Sequence, residues 1–434
     1  MHGILNESLN LSLILSVNKL SFSVTFKFRT LHRQMASTSQ KRNRRHVALI
    51  IETSRAYGRG VLRGISTFVR QNSRWSVRLQ DRGLNDPLPD WMTRWQLDGV
   101  IARIETIQLA DKLKRLKLPV VNLSAMAPDN RFPTIDTDDT TVAELAFAHF
   151  AERGFRSVAF CGYPGARWSD RRRNRFIDLA KEAGVVCHEF KPGRRRVTQP
   201  KPETLALEMS GLVQERKLIE WLQTLPVPTG IMAANDLRGR QLLGLCRELD
   251  IAVPDQLSVL GVDNDELLCN LTDPPLSSIA PDCERIGMNA ASVLDRMMSR
   301  PRSRPADELI SAVGVATRKS TDVLAIDEPL IVRAVRYIRE HACDGIGVPD
   351  ILRVVPLSRS KLEQGFKQHL GRTPKAELLR IQLLRAKELL LATDLPLPEI
   401  SQRCGFRHPE YFNTLFREKI GQPPGRFRRR AAVP

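Results

Sequence analysis

Histidine is scarce in this chain, 8 residues of 434, and none of it falls in a metal-binding cluster. The seven cysteines (Cys161, Cys187, Cys246, Cys269, Cys283, Cys343 and Cys404) are odd in number and form no C-x-x-C pair. A disulfide framework or a structural zinc site is therefore not expected, and a reducing compartment fits. No G-x-S-x-G and no P-loop occurs. The stretch YGRGVLRG approximates a dinucleotide fingerprint, but it follows Ser-Arg-Ala beyond the first strand and reads as a helix start. Catalysis, a cofactor and a metal are thus not expected. No apolar run approaches the roughly 20 residues of a membrane span. The short apolar stretch LNLSLILSV has no Lys or Arg before it, which argues against a secretory signal and for the cytoplasm.

What is abundant is positive charge, and it is unevenly placed. The net charge is +19. Residues 329–434 hold 20 Lys and Arg against 10 Asp and Glu, and residues 1–46 hold 8 against 1. The 282 residues between are nearly neutral, with 39 against 37. A neutral body with basic ends points to a polyanion held by the ends; the plain alternative is a basic tail kept for solubility. Residues 1–46 read as a basic, disordered extension, with Met35 as an alternative start of translation.

Between the ends, apolar runs alternate with amphipathic helical patterns. VALII, WSVRLQ, DGVIARI, PVVNLS, SVAFCG, VVCHEF, GIMAAND and LSVLGVD read as strands. Such continuous apolar strands separated by helices mean parallel sheets covered on both faces. About ten strands over about 270 residues exceed one ordinary sheet, so two doubly wound lobes are expected over 47–320. Ligands of such sheets sit beyond the carboxyl ends of the strands. There the chain places Tyr57, Arg103, Trp168, Arg172, Asn235, Asp236 and Asp263. Carboxylates, amides and guanidinium groups can take hydroxyls in pairs, and an aromatic ring can cover a C–H face, which suits a sugar. A lone Asp after a strand is also a common helix cap.

The basic C-terminal end says nearly the same thing twice. LEQGFKQHLGRTP (362–374) and FNTLFREKIGQPP (412–424) align with Leu362 on Phe412, Phe366 on Phe416, Gly371 on Gly421 and Pro374 on Pro424. Each copy is an amphipathic helix stopped by Gly and Pro. A shorter helix precedes each, and KAELLRIQLLRAKELLLA joins them. The pattern predicts two helix-turn-helix units, at about 348–369 and 396–419, within a domain over 329–430 after a linker at 321–328. Leu362, Phe366, Phe412 and Phe416 read as core. The DNA-facing candidates are Ser358, Arg359, Lys361, Gln364 and Lys367 in the first unit. In the second they are Arg407, His408, Glu410, Tyr411, Asn413, Thr414 and Arg417. Arg, Gln and Asn can bond base edges in pairs, while Ser, Thr and Lys suit phosphates. A plain helical bundle is the alternative.

Two resemblances sharpen these expectations. AANDLRGR (233–240), LSVLGVDNDEL (257–267) and the arginine run before Phe176 resemble the sugar-binding core of LacI-type regulators and periplasmic sugar-binding proteins. That resemblance implies sugar contacts from Asn235, Asp236, Asp263 and Arg172, with Arg171 and Arg173 competing for the last register. EISQRCGFRHPEYFNTLFREKIGQPPGRFR resembles the signature of AraC/XylS-type DNA-binding domains. In the first unit, Pro356-Leu357 stand where the second has Gly405-Phe406. LacI-type regulators carry their DNA-binding helices ahead of the core, and no such pattern precedes it here. The order found here is that of the D-xylose operon regulator family. The fold so implied is an α/β two-lobed, type I periplasmic-binding-protein-like core with a C-terminal all-α double helix-turn-helix domain.

The expected function is sugar-responsive transcription regulation, with operator DNA and a sugar effector as partners. D-xylose and activation come from the resemblance, since the pattern itself separates neither one sugar from another nor activation from repression. A homodimer is expected, and contact with RNA polymerase is left open. The competing readings are a solute-binding protein or a regulator answering to another pentose or related sugar. The absent export signal and the DNA-reading end oppose the solute-binding protein.

Overall fold

The computed structural model describes residues 44–432 apart from 73, 85, 90, 125, 127–130, 192–207, 209–214, 301–304 and 327. The expectations for residues 1–43, including the start at Met35, lie outside the described residues.

The first lobe is built from β1 (Arg45–Ile50), α1 (Ala56–Asn72), β2 (Trp75–Leu79), α2 (Trp91–Arg94), β3 (Gly99–Ala102), α3 (Ile107–Arg115) and β4 (Val120–Asn122). Its four strands lie parallel in the order β2-β1-β3-β4. β1 and β3 are buried along most of their length, as the apolar runs require of central parallel strands. The chain then crosses over through β5 (Ile135–Thr137) into the second lobe.

That lobe holds α4 (Asp139–Ala151), β6 (Ser157–Cys161), α5 (Arg167–Glu182), β7 (Val186–Glu189), α6 (Glu215–Thr224), β8 (Thr229–Ala233), α7 (Asp236–Glu248), β9 (Leu257–Val262), α8 (Glu266–Asn270) and β10 (Ser277–Ala280). A second crossing brings α9 (Cys283–Ser299) back onto the first lobe, where Ile286, Ala290, Val293 and Leu294 join the core of Val47, Leu49, Val61 and Ile65. The two helices meet closely: a Cβ on Gly287 would lie 2.0 Å from the Val61 carbonyl oxygen. A third crossing runs through β11 (Glu308–Ile310), which pairs parallel with β5, to β12 (Gly314–Ala316). The second sheet has the order β12-β10-β9-β8-β6-β7, with only β12 antiparallel. Sequence periodicity misses β5, β11 and β12, each three residues long.

The remainder is helical: α10 (Pro329–His341), α11 (Val348–Val354), α12 (Arg359–Leu370), α13 (Pro374–Ala392), α14 (Leu397–Arg403), α15 (Pro409–Ile420) and α16 (Pro424–Ala432). Each repeat has its own core. One gathers Ile331, Ile338, Ile351, Leu362, Phe366 and Leu378; the other gathers Leu383, Leu390, Ile400, Phe412 and Phe416. The connecting helix α13 serves both. Gly371 and Gly421 end the two repeated helices with φ of 69° and 80°, the left-handed stop the sequence predicts. Pro374 and Pro424 do more than follow the stop. Each opens the next helix, where its missing N–H costs nothing.

Candidate functional site

The carboxyl ends of both sheets face a cavity of about 50 Å³ between the lobes. The first lobe contributes Arg55, Tyr57, Arg103, Leu123 and Ser124. The first crossover contributes Asp136 and Thr137, and Asp139 opens α4 beside them. The second lobe contributes Trp168, Arg172, Glu208, Asn235 and Asp263.

Each arginine here is held by acids. Arg103 donates to Glu105 at 2.9 Å and to Glu52, and its guanidinium lies 4.9 Å from the centre of the Tyr57 ring. Burial acts to lower its pKa, but Glu52 and Glu105 outweigh burial and raise it well above the ordinary value. Arg172 donates Nε to Asp139 at 2.9 Å and Nη1 to the Ala234 carbonyl at 2.6 Å, and lies 5.0 Å from the Trp168 ring centre. Arg55 donates to Glu208 at 2.8 Å. Glu208 also accepts from Asn235 Nδ2 at 2.9 Å, so one acid ties residues of both lobes. Tyr57 donates its hydroxyl to Asp136 at 2.9 Å. These arginines are clamped and cannot swing freely, so the cavity is preorganised, and its three arginines face six carboxylates: Glu52, Glu105, Asp136, Asp139, Glu208 and Asp263.

Two groups stand out. Thr137 is buried, and its Oγ1 has no hydrogen-bond partner among the described residues. A buried hydroxyl left so costs free energy, which a ligand hydroxyl can recover. Asp263 has φ of 108° and Asn264 has 47°, so two consecutive non-glycine residues hold left-handed backbone at the cavity edge. Such strain persists only where the surroundings enforce it, and it gathers at ligand sites. Burial raises the pKa of Asp263, opposed by Arg172, Arg103 and Arg55 facing it.

Of the seven sugar-contact candidates, Tyr57, Arg103, Trp168, Arg172, Asn235 and Asp263 line this cavity, and Asp236 does not. Its carboxylate turns away, accepting from the Ser278 hydroxyl at 2.6 Å, the Asp265 amide at 2.9 Å and the Cys269 thiol at 3.4 Å. Asp236 is thus a brace under the loop that carries Asp263. Of the three arginines competing for one register, Arg172 is buried and lines the cavity, while Arg173 pairs with Asp170 at 3.0 Å. The sequence reading missed Asp136, Thr137, Asp139 and Glu208. The first three sit in TIDTDD, a polar cluster around a strand too short to show periodicity. Glu208 lies in a stretch without a pattern.

In the DNA-reading candidate region, α11 and α12 form one helix-turn-helix, and α14 and α15 the other. Ser358 caps α12, its hydroxyl accepting from the Lys361 amide at 3.3 Å. Lys361, Gln364 and Lys367 lie on the outer face of α12, and Arg359 is exposed while paired with Glu363 at 3.0 Å. Arg407, His408, Glu410, Tyr411, Asn413, Thr414 and Arg417 lie on the outer face around α15. The apolar partners Leu362, Phe366, Phe412 and Phe416 are fully buried. Every candidate therefore lies on solvent-facing surface, opposite the cores that fix the two helices.

Comparisons with known proteins agree with this architecture. Residues 46–140 match the XylR N-terminal domain, 147–321 a periplasmic binding protein-like domain and 351–430 a helix-turn-helix domain. The chain is 34% identical to the xylose operon regulatory protein of Escherichia coli K12 over 400 residues, which covers 89% of this chain and 97% of the relative. It is 30% identical to the protein of that name from Haemophilus influenzae over 390 residues, covering 88% and 97%. A solved structure described as the xylose-binding transcription activator XylR is similar at 32% identity with a TM-score of 0.54, covering 88% of this chain and 97% of that one.

Proposed function

The chain belongs to the family of xylose operon regulatory proteins, and from that premise we propose that it is a D-xylose-responsive transcription activator. The sugar is held between the lobes and operator DNA by the paired helices α12 and α15. The observation that carries this reading is the joining of two features in one chain. A cavity of hydrogen-bonding groups in which Arg55, Arg103 and Arg172 each already face an acid sits in a two-lobed core, and two solvent-facing helix-turn-helix units are attached to it.

The cavity's chemistry supports a neutral polyol. Arg55, Arg103 and Arg172 already face Glu208, Glu52, Glu105 and Asp139, so no spare positive charge remains for a phosphate or a sugar acid. At about 50 Å³ the cavity is smaller than a sugar. The lobes therefore part to admit the ligand and close on it, a hinge motion at the crossovers that hold β5 and β11. Asn235, Asp263 and Thr137 are assigned to hydroxyls, and the Trp168 ring to a C–H face. Operator DNA is engaged by a homodimer carrying four readers, in the cytoplasm, with RNA polymerase as a downstream contact. Within one chain the two units enter successive major grooves about 34 Å apart.

Titration with xylose, other pentoses, hexoses and xylose 5-phosphate, followed by tryptophan fluorescence, tests the ligand reading, because Trp168 lines the cavity. A saturable change with xylose and none with the phosphate is expected. A response to the phosphate at lower concentration than to xylose contradicts the reading.

A further inference from the structure

Helix α4 touches the sugar cavity with its first residue and the DNA-reading domain just beyond its last. At the cavity end, Asp139 accepts from Arg172 at 2.9 Å. Beside it, the Asp138 amide donates to the Ile310 carbonyl of β11 at 2.8 Å, which ties this end to the hinge. The helix then runs 13 residues, about 20 Å. Val142, Ala143, Ala146 and Phe150 are wholly buried in the second lobe, so the helix moves only with that lobe.

At the far end the chain makes a dense joint. Glu152 pairs with Arg380 of α13 at 2.6 Å, and its carbonyl accepts from Arg339 of α10 at 3.0 Å. The Arg153 carbonyl accepts from the Ala325 amide at 2.8 Å. Arg156 donates to the Gln368 carbonyl at the end of α12. Gly154, with φ of 82°, lets the backbones meet: a Cβ there would lie 2.9 Å from Ile326.

The segment expected to be a linker is therefore a two-faced splint. Val323 and Ala325 pack on the core of the second lobe, while Leu324 and Ile326 belong to the core of the first helix-turn-helix unit. The first unit is a rigid extension of the lobe. We infer that Glu152 is a positioning residue for DNA reading, and that α4 carries sugar occupancy from Asp139 to the helix α13 that both readers share. This rests on the sugar reading proposed above. Arg380 suits the role because it is also clamped by the fully buried Glu377 at 2.9 Å, so its position follows α13 and not its own flexibility.

The test compares the full-length wild type with Glu152→Gln, Arg380→Gln and the conservative Glu152→Asp. Xylose affinity is measured by fluorescence, and the affinity for DNA selected by the protein itself is measured with and without xylose. In Glu152→Gln and Arg380→Gln, xylose affinity without DNA should stay within about two-fold, while the factor by which xylose tightens DNA binding falls about two- to five-fold. Glu152→Asp should restore most of that factor. An unchanged factor in both glutamine variants overturns the inference. So does a parallel loss of xylose affinity, which would make the joint merely structural. Hydrogen exchange gives a readout independent of sugar. Amides of residues 322–326 should be as protected as those of α4, and exchange at the rate of a free chain would overturn the splint. If the wild type fails to answer xylose at all, the sugar reading falls, and the exchange result still decides the joint.

Discussion

At the residue scale, the proposed function divides the cavity's groups into those that would hold a ligand and those that hold the site. Asp263 is proposed for the first kind. Asp263→Ala should remove the sugar-induced rise in thermal stability, roughly 2.7 kcal/mol at ligand 100 times its Kd. Asp263→Gly should remove the same response while leaving the apo protein at least as stable as Asp263→Ala, because glycine adopts φ near 108° without strain. A full sugar-induced shift in either variant would show that Asp263 is not a ligand group. Asp236 is of the second kind. Burial, then the neighbouring Asp263 charge, raises its pKa. A raised pKa means that the folded state binds this proton more tightly than the unfolded chain does. The stability it gives is present below the ordinary carboxylate value and lost as pH rises toward the folded one. Denaturant unfolding across about pH 5 to 8 should therefore lose stability more steeply in the wild type than in Asp236→Asn. Parallel curves would refute this assignment. The sequence could not tell Asn235 from Asp236 in role. The two are adjacent, yet one faces the cavity and the other the loop beneath Asp263, because α7 begins between them.

At the element scale, much was legible. The alternation of apolar strands and helices gives both sheets, and the repeat at 362–374 and 412–424 gives both helix-turn-helix units with their glycine stops. Part of what was hidden lies on short elements, which have no period. β5 and β11 are three residues each, so the crossovers and the cavity-lining residues Asp136, Thr137 and Asp139 around them carried no signal. The splint at 321–326 read as a linker because its alternating residues divide between two cores. The repeat itself yields a test. Gly421→Ala should destabilise the second unit by about 1 kcal/mol through its φ of 80°, measured by thermal unfolding. Arg417→Ala and Asn413→Ala on α15 should weaken specific DNA binding by about 1–3 kcal/mol for each that reads a base. Lys361→Ala and Lys367→Ala on α12 should instead weaken all sequences alike and reduce the salt dependence. Loss confined to non-specific binding in the α15 variants would show that α15 does not read bases.

At the scale of the whole molecule, the chain joins a nearly neutral two-lobed core to a basic helix-turn-helix end, with α4 and the splint at 321–326 between them. The claim central to this account is that sugar and DNA sites are energetically coupled. Coupling is reciprocal, so whatever factor xylose adds to DNA affinity, DNA must add to xylose affinity. The most direct measurement is calorimetric titration of xylose into the full-length protein, alone and saturated with DNA that it selects. Xylose should bind tighter in the DNA complex, by roughly 5- to 150-fold. Equal xylose affinities in the two titrations would contradict the account.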